Sequence, residues 1–146
     1  MAAEENKALV RRFYEEVWGK GNLDVVDEVF ADDYVRHDFR ATDALPGPAG
    51  QKKIAADFQT AFPDLEFTLD LLVAEGDFVV GRWTASGTNL GPWGSLEATG
   101  RPVTFSAANI FRFQDGRVAE LWNHRDDLGL MEQVGAPIHA GATEPG

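Results

Sequence analysis

The run "FRFQDGRVAELWNHRDDLGLMEQVG", residues Phe111–Gly135, decides the fold class of this chain. Its opening residues are strand-like, rich in Phe and ending at a turn signal. "QDG" at 114–116 follows, and an Asp-Gly pair readily adopts the backbone of a tight hairpin turn. A second strand is expected over 117–124, after which Asp126 or Asp127 can cap a short helix, "LGLMEQVG". Strand alternation then assigns faces. Ala119, Leu121 and Asn123 share one side of the last strand, with Glu120, Trp122 and His124 opposite. On the strand before it, Phe105, Ala107, Asn109 and Phe111 lie together, and Thr104, Ser106, Ala108 and Ile110 face the other way.

Working outward, earlier strands are expected at 65–75, 77–88 and 101–113, with "EGD" at 75–77 as another hairpin turn. A Gly/Pro-rich loop, "NLGPWGSLEATG", separates two of them and carries Trp93. Upstream the period changes to that of helices. Leu9, Val10, Phe13, Tyr14, Val17 and Trp18 recur in three- and four-residue steps over 4–18, and Gly19 and Gly21 end that helix. Asn22 is the expected N-cap of a second helix over about 23–30, presenting Leu23, Val26, Val29 and Phe30 inward. A short extended segment follows, around Tyr34 to Asp38. "RATDALPGPAG", Arg40–Gly50, reads as a loop, and a third helix over 51–62 stops at Pro63. Helices followed by a run of antiparallel strands give an α+β fold, with the helices on one face of a sheet that curls over them around an apolar cavity. The 146 residues suit one domain, with the tail from about 136 frayed.

A formal charge of −11 repels phosphate backbones, so a nucleic-acid partner is not expected. There is no cysteine, which removes disulfides and thiolate chemistry. His37, His124 and His139 form no metal-binding pattern, and no nucleotide-binding or serine-nucleophile motif is present. The N-terminus lacks the pattern of a secretory signal and no apolar run is long enough for a membrane span, so a cytoplasmic protein is expected.

Several phrases together resemble the SnoaL-like polyketide cyclases, within the nuclear transport factor two-like fold. They are "RRFYEEVWGKGNLDVVDEVFADDYVRHD", "FPDLEFTLDLLVAEGDFVVGRWTASGT", "TGRPVTF" and "FRFQDGRVAELWNHRDDLGLMEQVG", in order and across nearly the whole chain. The resemblance implies a conical α+β barrel, commonly a homodimer packed through sheet surfaces. It also implies intramolecular aldol ring closure on a polyketide ester, with no cofactor and no metal. In such cyclases an Asp on the strand after the "DG" turn acts as acid/base, and a His sits in the pocket on the preceding strand. Those positions fall on Asn123 and Asn109, which are both amides here.

An amide pair can orient a carbonyl or enol by hydrogen bonding, or bond to itself, but it cannot remove a proton near neutral pH. The expected proton carriers are therefore His37, an imidazole beside Asp38, and Asp126. Asp126 has two readings, a helix cap and a pocket carboxylate pairing with His37 or Arg82. For a small hydrophobic ligand the expected lining is Tyr14, Trp18, Phe58, Phe62, Trp83 and Phe105, with Phe39 and Trp93 on the loops at the rim. Cyclisation of a polyketide-type molecule is the leading expectation. A polyketide hydroxylase-type activity and a non-catalytic binding protein are the alternatives.

Overall fold

A computed structural model describes residues 2–38, 46–93 and 95–135. Helix α1 (Ala2–Arg12) runs on into a π-helical segment, Phe13–Trp18, before the short helix α2 (Val25–Val29) and strand β1 (Phe30–His37). Helix α3 (Gly47–Ala61) leads into strands β2 (Glu66–Glu75), β3 (Phe78–Thr88), β4 (Pro102–Gln114) and β5 (Arg117–Arg125), and α4 (Asp127–Val134) closes the described chain. The strands form one sheet in the order β1-β5-β4-β3-β2. β1 runs parallel to β5, and every other pairing is antiparallel. The α+β class, with helices on one face of a curved, mainly antiparallel sheet, is the one the sequence indicates. The register shifts at Leu69/Leu71 in β2 and at Arg112/Phe113 in β4, the kind of irregularity that a bulge produces.

The tight turn at Asp115-Gly116 has positive φ at both residues, 53° and 79°, the backbone a two-residue hairpin requires. It fixes the register that sets Asn109 opposite Asn123 and Ala107 opposite Arg125. On β4 every second residue from Val103 to Phe113 is buried, the alternation expected. On β5 the irregular register moves Val118 into the core and leaves Ala119 half-buried, so the expected inward face begins properly at Leu121.

Four boundaries differ from the sequence reading, each for a local reason. The first helix widens at Phe13–Trp18, where Gly19 N–H reaches the Tyr14 carbonyl at 3.0 Å, an i→i+5 bond. Its adjacent pairs Phe13/Tyr14 and Val17/Trp18 are all buried, and the wider turn brings each pair onto the core face. Asn22 does not cap α2; its amide turns back towards Glu16, and the helix starts at Val25. β1 begins at Phe30 because Phe30 already pairs with Val118. α3 starts at Gly47, with Pro at its first positions, so the expected loop is shorter at its end. Among the described residues no helix is long and apolar enough to cross a membrane.

Candidate functional site

Strand β1 supplies the first part of the site. Tyr34 is buried and Arg36 half-buried on its inner side, while Val35 and His37 point outward and are exposed. Continuing that alternation puts Asp38 on the inner side, beside the end of β5. Its carboxylate accepts from Asn123 Nδ2 at 2.7 Å on one oxygen and from Arg36 Nε at 2.6 Å on the other. Arg36 also donates to Gln51 Oε1 at 3.1 Å, which the Tyr34 hydroxyl approaches at 3.4 Å. Gln51, in the first turns of α3, is only 1% exposed.

From Asn123 the bonds continue inward. Asn123 Oδ1 accepts from Asn109 Nδ2 at 2.8 Å, and Asn109 Oδ1 accepts from both Tyr14 Oη and Trp83 Nε1, each at 2.8 Å. Both amides are deeply buried, at 6% and 5% exposure, so unpaired polar atoms there would be costly. The two ends of this chain fix the orientation of each amide. An indole N–H can only donate, so Asn109 must turn its oxygen to Trp83; an ionised carboxylate can only accept, so Asn123 must turn its NH₂ to Asp38. Every donor therefore points along one path, from Tyr14 and Trp83 through Asn109 and Asn123 to Asp38. Such aligned bonds polarise one another in a low-dielectric interior.

Tyr14 reaches this position because Gly81 lies opposite Asn109 on β3. A Cβ at Gly81 would lie 2.6 Å from the Tyr14 ring and hydroxyl, so only glycine leaves room for the phenol. Burial pushes the Tyr14 phenol well above its ordinary value, with Arg36 offsetting a little of the shift. Tyr14 thus stays neutral and remains a donor. Tyr34 is raised for the same first cause.

Around this polar path the core packing is aromatic. Trp18 stacks on Trp83, with ring centroids 5.8 Å apart. Phe58 touches Trp18, Phe62, Trp93 and Phe105 at 5.5, 6.1, 5.6 and 5.7 Å. The structure thus gathers Tyr14, Trp18, Phe58, Phe62, Trp83, Trp93 and Phe105 about one interior. Trp93, expected at a rim, is buried. Phe39 lies outside the described residues. Arg125, two positions after Asn123 on β5, lays its guanidinium 4.7 Å above the Phe58 ring and bonds Asp127 through Nε.

His37 and Asp126 stand elsewhere. His37 Nε2 is 2.9 Å from Glu120 Oε2 and its ring stacks on Trp122 at 5.0 Å, on the outer face of the sheet. Bonds from His37 first, and then from Arg112, hold the Glu120 carboxyl below its usual range. Asp126 is the N-cap of α4, accepting from Gly129 N at 2.9 Å. Arg82 is paired with Asp70, at 2.6 Å, rather than with either of them. Of the four expected polar residues, the structure joins Asn109 and Asn123 and leaves His37 and Asp126 apart from them.

Sequence reasoning gave Asp38 only as a neighbour of His37, and it did not single out Arg36, Gln51 or Arg125. For Asp38 and Arg36 a signal existed: alternation through "YVRHD" puts both on the Tyr34 side, opposite His37. Arg125 likewise shares the face of Asn123. Nothing in the sequence marks Gln51 as buried.

Similarity to known proteins follows this geometry. The pattern that defines the SnoaL-like polyketide cyclase family matches residues 8–134. TsrD from Streptomyces laurentii is similar over 92% of this chain and 97% of its own, at 30% identity and a TM-score of 0.81. A proposed SnoaL-like polyketide cyclase from Jannaschia sp. CCS1 is 27% identical, with a TM-score of 0.82 over 93% of this chain and 95% of its own. AclR, a proposed hydroxylase from Streptomyces galilaeus, is 26% identical, with a TM-score of 0.77 over 91% of this chain and 97% of its own. No curated protein matches the chain. With its fold, its strand order and the match over residues 8–134 in agreement, this chain belongs to the SnoaL-like polyketide cyclase family.

Proposed function

We propose that this protein is a cytoplasmic, cofactor-independent enzyme that closes a ring on a hydrophobic, polyketide-type molecule by aldol chemistry, with Asp38 as the proton acceptor. The observation that carries this reading is the directed hydrogen-bond path from Tyr14 and Trp83 to Asp38 through a buried amide pair. An amide at position 123 cannot take a proton, but it is bonded to a carboxylate that can. In the proposed reaction Asp38 removes a proton from a carbon α to a carbonyl. The resulting enolate carbon attacks a second carbonyl of the same molecule and forms the C–C bond. The proton then passes from Asp38 to the new alkoxide oxygen, so no atom is lost and no co-reactant is needed. Asn123 and Arg36 hold the carboxylate in place, and His37 and Asp126 carry no step.

The test is α-proton exchange in D₂O on a planar aryl β-keto ester, followed by NMR against the buffer rate. Asp38→Asn should slow the enzyme-dependent rate by ~10²–10⁴-fold, the usual worth of a positioned base. His37→Ala should stay near the parent rate. Undiminished exchange in Asp38→Asn, or a comparable loss in His37→Ala, overturns the assignment. Similarity to AclR supports a second reading, a hydroxylase-type member in which the same amides orient the substrate. That reading expects binding of the aryl ester without accelerated exchange.

The outer sheet face carries the exposed apolar side chains Val35, Leu71, Val73 and Phe78. We propose that a second copy covers them. Val73→Asp should then convert a dimer to a monomer in sedimentation, and a parent protein that sediments as a monomer rules the dimer out.

A further inference from the structure

We propose that Arg125 forms a subsite for the anionic oxygen of a planar aromatic ligand, a carboxylate in the first instance. The inference deepens the reading of an aromatic-ligand enzyme and rests on it for the existence of such a ligand, but it does not depend on turnover. The side chain of Arg125 is 16% exposed, in a chain whose formal charge is −11. An arginine is seldom withdrawn this far from water without several partners, because burying a charge is expensive. Here Asp127 takes one donor, Nε, and Phe58 takes one face of the guanidinium. Asp127 is bonded through Nε, and the terminal nitrogens Nη1 and Nη2 are the donors that the proposed subsite uses. The cation–π contact and the Asp127 bond together hold a side chain that would otherwise be long and mobile.

Its surroundings are suited to a flat ring. Phe58 is the centre of the aromatic cluster of Trp18, Phe62, Trp93 and Phe105. Across the sheet from Arg125 stands Ala107, a small side chain on the inner face of β4. Along β5, Arg125 and Asn123 are two residues apart on one side, which places them about 7 Å from each other. A ligand ring lying between them would meet the Asp38 path at one edge and a hydrogen-bond fork for a carboxylate at the other. Arginine matches a carboxylate in a way that lysine does not, through paired parallel N–H donors.

The experiment measures equilibrium binding by tryptophan fluorescence for two probes of one shape, 2-naphthoate and the neutral 2-naphthamide. The parent protein should bind naphthoate about 10-fold or more tightly than naphthamide, the range expected of a charge-assisted bond. Arg125→Met keeps an apolar stem against Phe58 and should erase that preference, leaving naphthamide affinity within about two-fold. Unchanged naphthamide binding also reports that the variant is folded, and Arg125→Gln serves if the methionine variant is not. Equal binding of the two probes by the parent, or a preference that survives in the variant, overturns the subsite. If the parent binds neither probe, the aromatic-ligand reading falls with it. If naphthoate is preferred through Arg125 while Asp38→Asn leaves exchange untouched, the subsite stands and the proposed chemistry does not.

Discussion

Asn123→Asp tests the buried path most directly. It would set a carboxyl where Asn123 Nδ2 now lies 2.7 Å from Asp38 Oδ1. Two full charges about 4 Å apart repel by about 4 kcal/mol at an effective dielectric of 20. The charge-assisted bond that is lost adds about 1.5–3 kcal/mol. The folded protein can avoid both by holding one proton between the two carboxyls. That proton has its own cost, because an aspartate in the unfolded chain titrates near 3.9. At pH 7 the cost is about three pH units at about 1.36 kcal/mol each, or about 4 kcal/mol. Holding the proton is thus the cheaper course, and about 4 kcal/mol is the expected destabilisation at pH 7. The folded-state pKa of the pair is raised, so the stability is fully present below the unfolded value and is lost as pH rises through the folded one. Relative to the parent, the deficit should be small near pH 4 and grow by about 1.4 kcal/mol per pH unit. Urea unfolding followed by tryptophan fluorescence at several pH values between these limits measures it. Parallel stability curves for variant and parent would refute the adjacency of residues 123 and 38.

Gly81→Ala should cost about 1–3 kcal/mol, since its Cβ would meet the Tyr14 ring at 2.6 Å, and the melting temperature should fall by several degrees. No change in melting would mean that Tyr14 does not occupy the gap above Gly81. The two tyrosines of the chain, Tyr14 and Tyr34, are both raised by burial. The stability held in their neutral forms is complete below the ordinary phenol value of about 10 and is lost as pH rises through the folded values. An alkaline titration should therefore show phenolate absorbance appearing above the free-tyrosine range, together with loss of near-ultraviolet dichroism. A full phenolate signal at the free-tyrosine value in a still-folded protein would contradict that. Asp126→Ala removes the acceptor for Gly129 N and should cost about 1 kcal/mol, read as a lower denaturation midpoint at unchanged slope.

Much of the architecture is legible from short-range signals. The Asp-Gly turn, the alternation through β4 and the cap-plus-helix at the end each rest on chemistry within a few residues. Those signals locate strands 66–75, 78–88 and 102–114 to within a residue or so. The misses fall where the tertiary structure overrides local preference. The first helix widens at Phe13–Trp18 because four apolar side chains must enter one core, a demand that helical periodicity alone does not express. Asn22 is a good capping residue by composition, yet its amide is drawn to Glu16.

Alternation places Asn109 and Asn123 on inner faces from sequence alone, and it is a local property of each strand. Whether they touch depends on register across β4 and β5, which the Asp115-Gly116 turn makes predictable. The Asp38 contact is different in kind. It needs β1 to lie parallel beside β5, a pairing between segments some eighty residues apart that no local pattern encodes. The same holds for Arg125 over Phe58, which joins the last strand to α3. Sequence by itself therefore determined the elements, their faces and the absence of a proton carrier at position 123. Only the tertiary structure decided that a carboxylate from β1 stands next to that amide, because parallel pairing is set by the packing of the whole sheet against its helices.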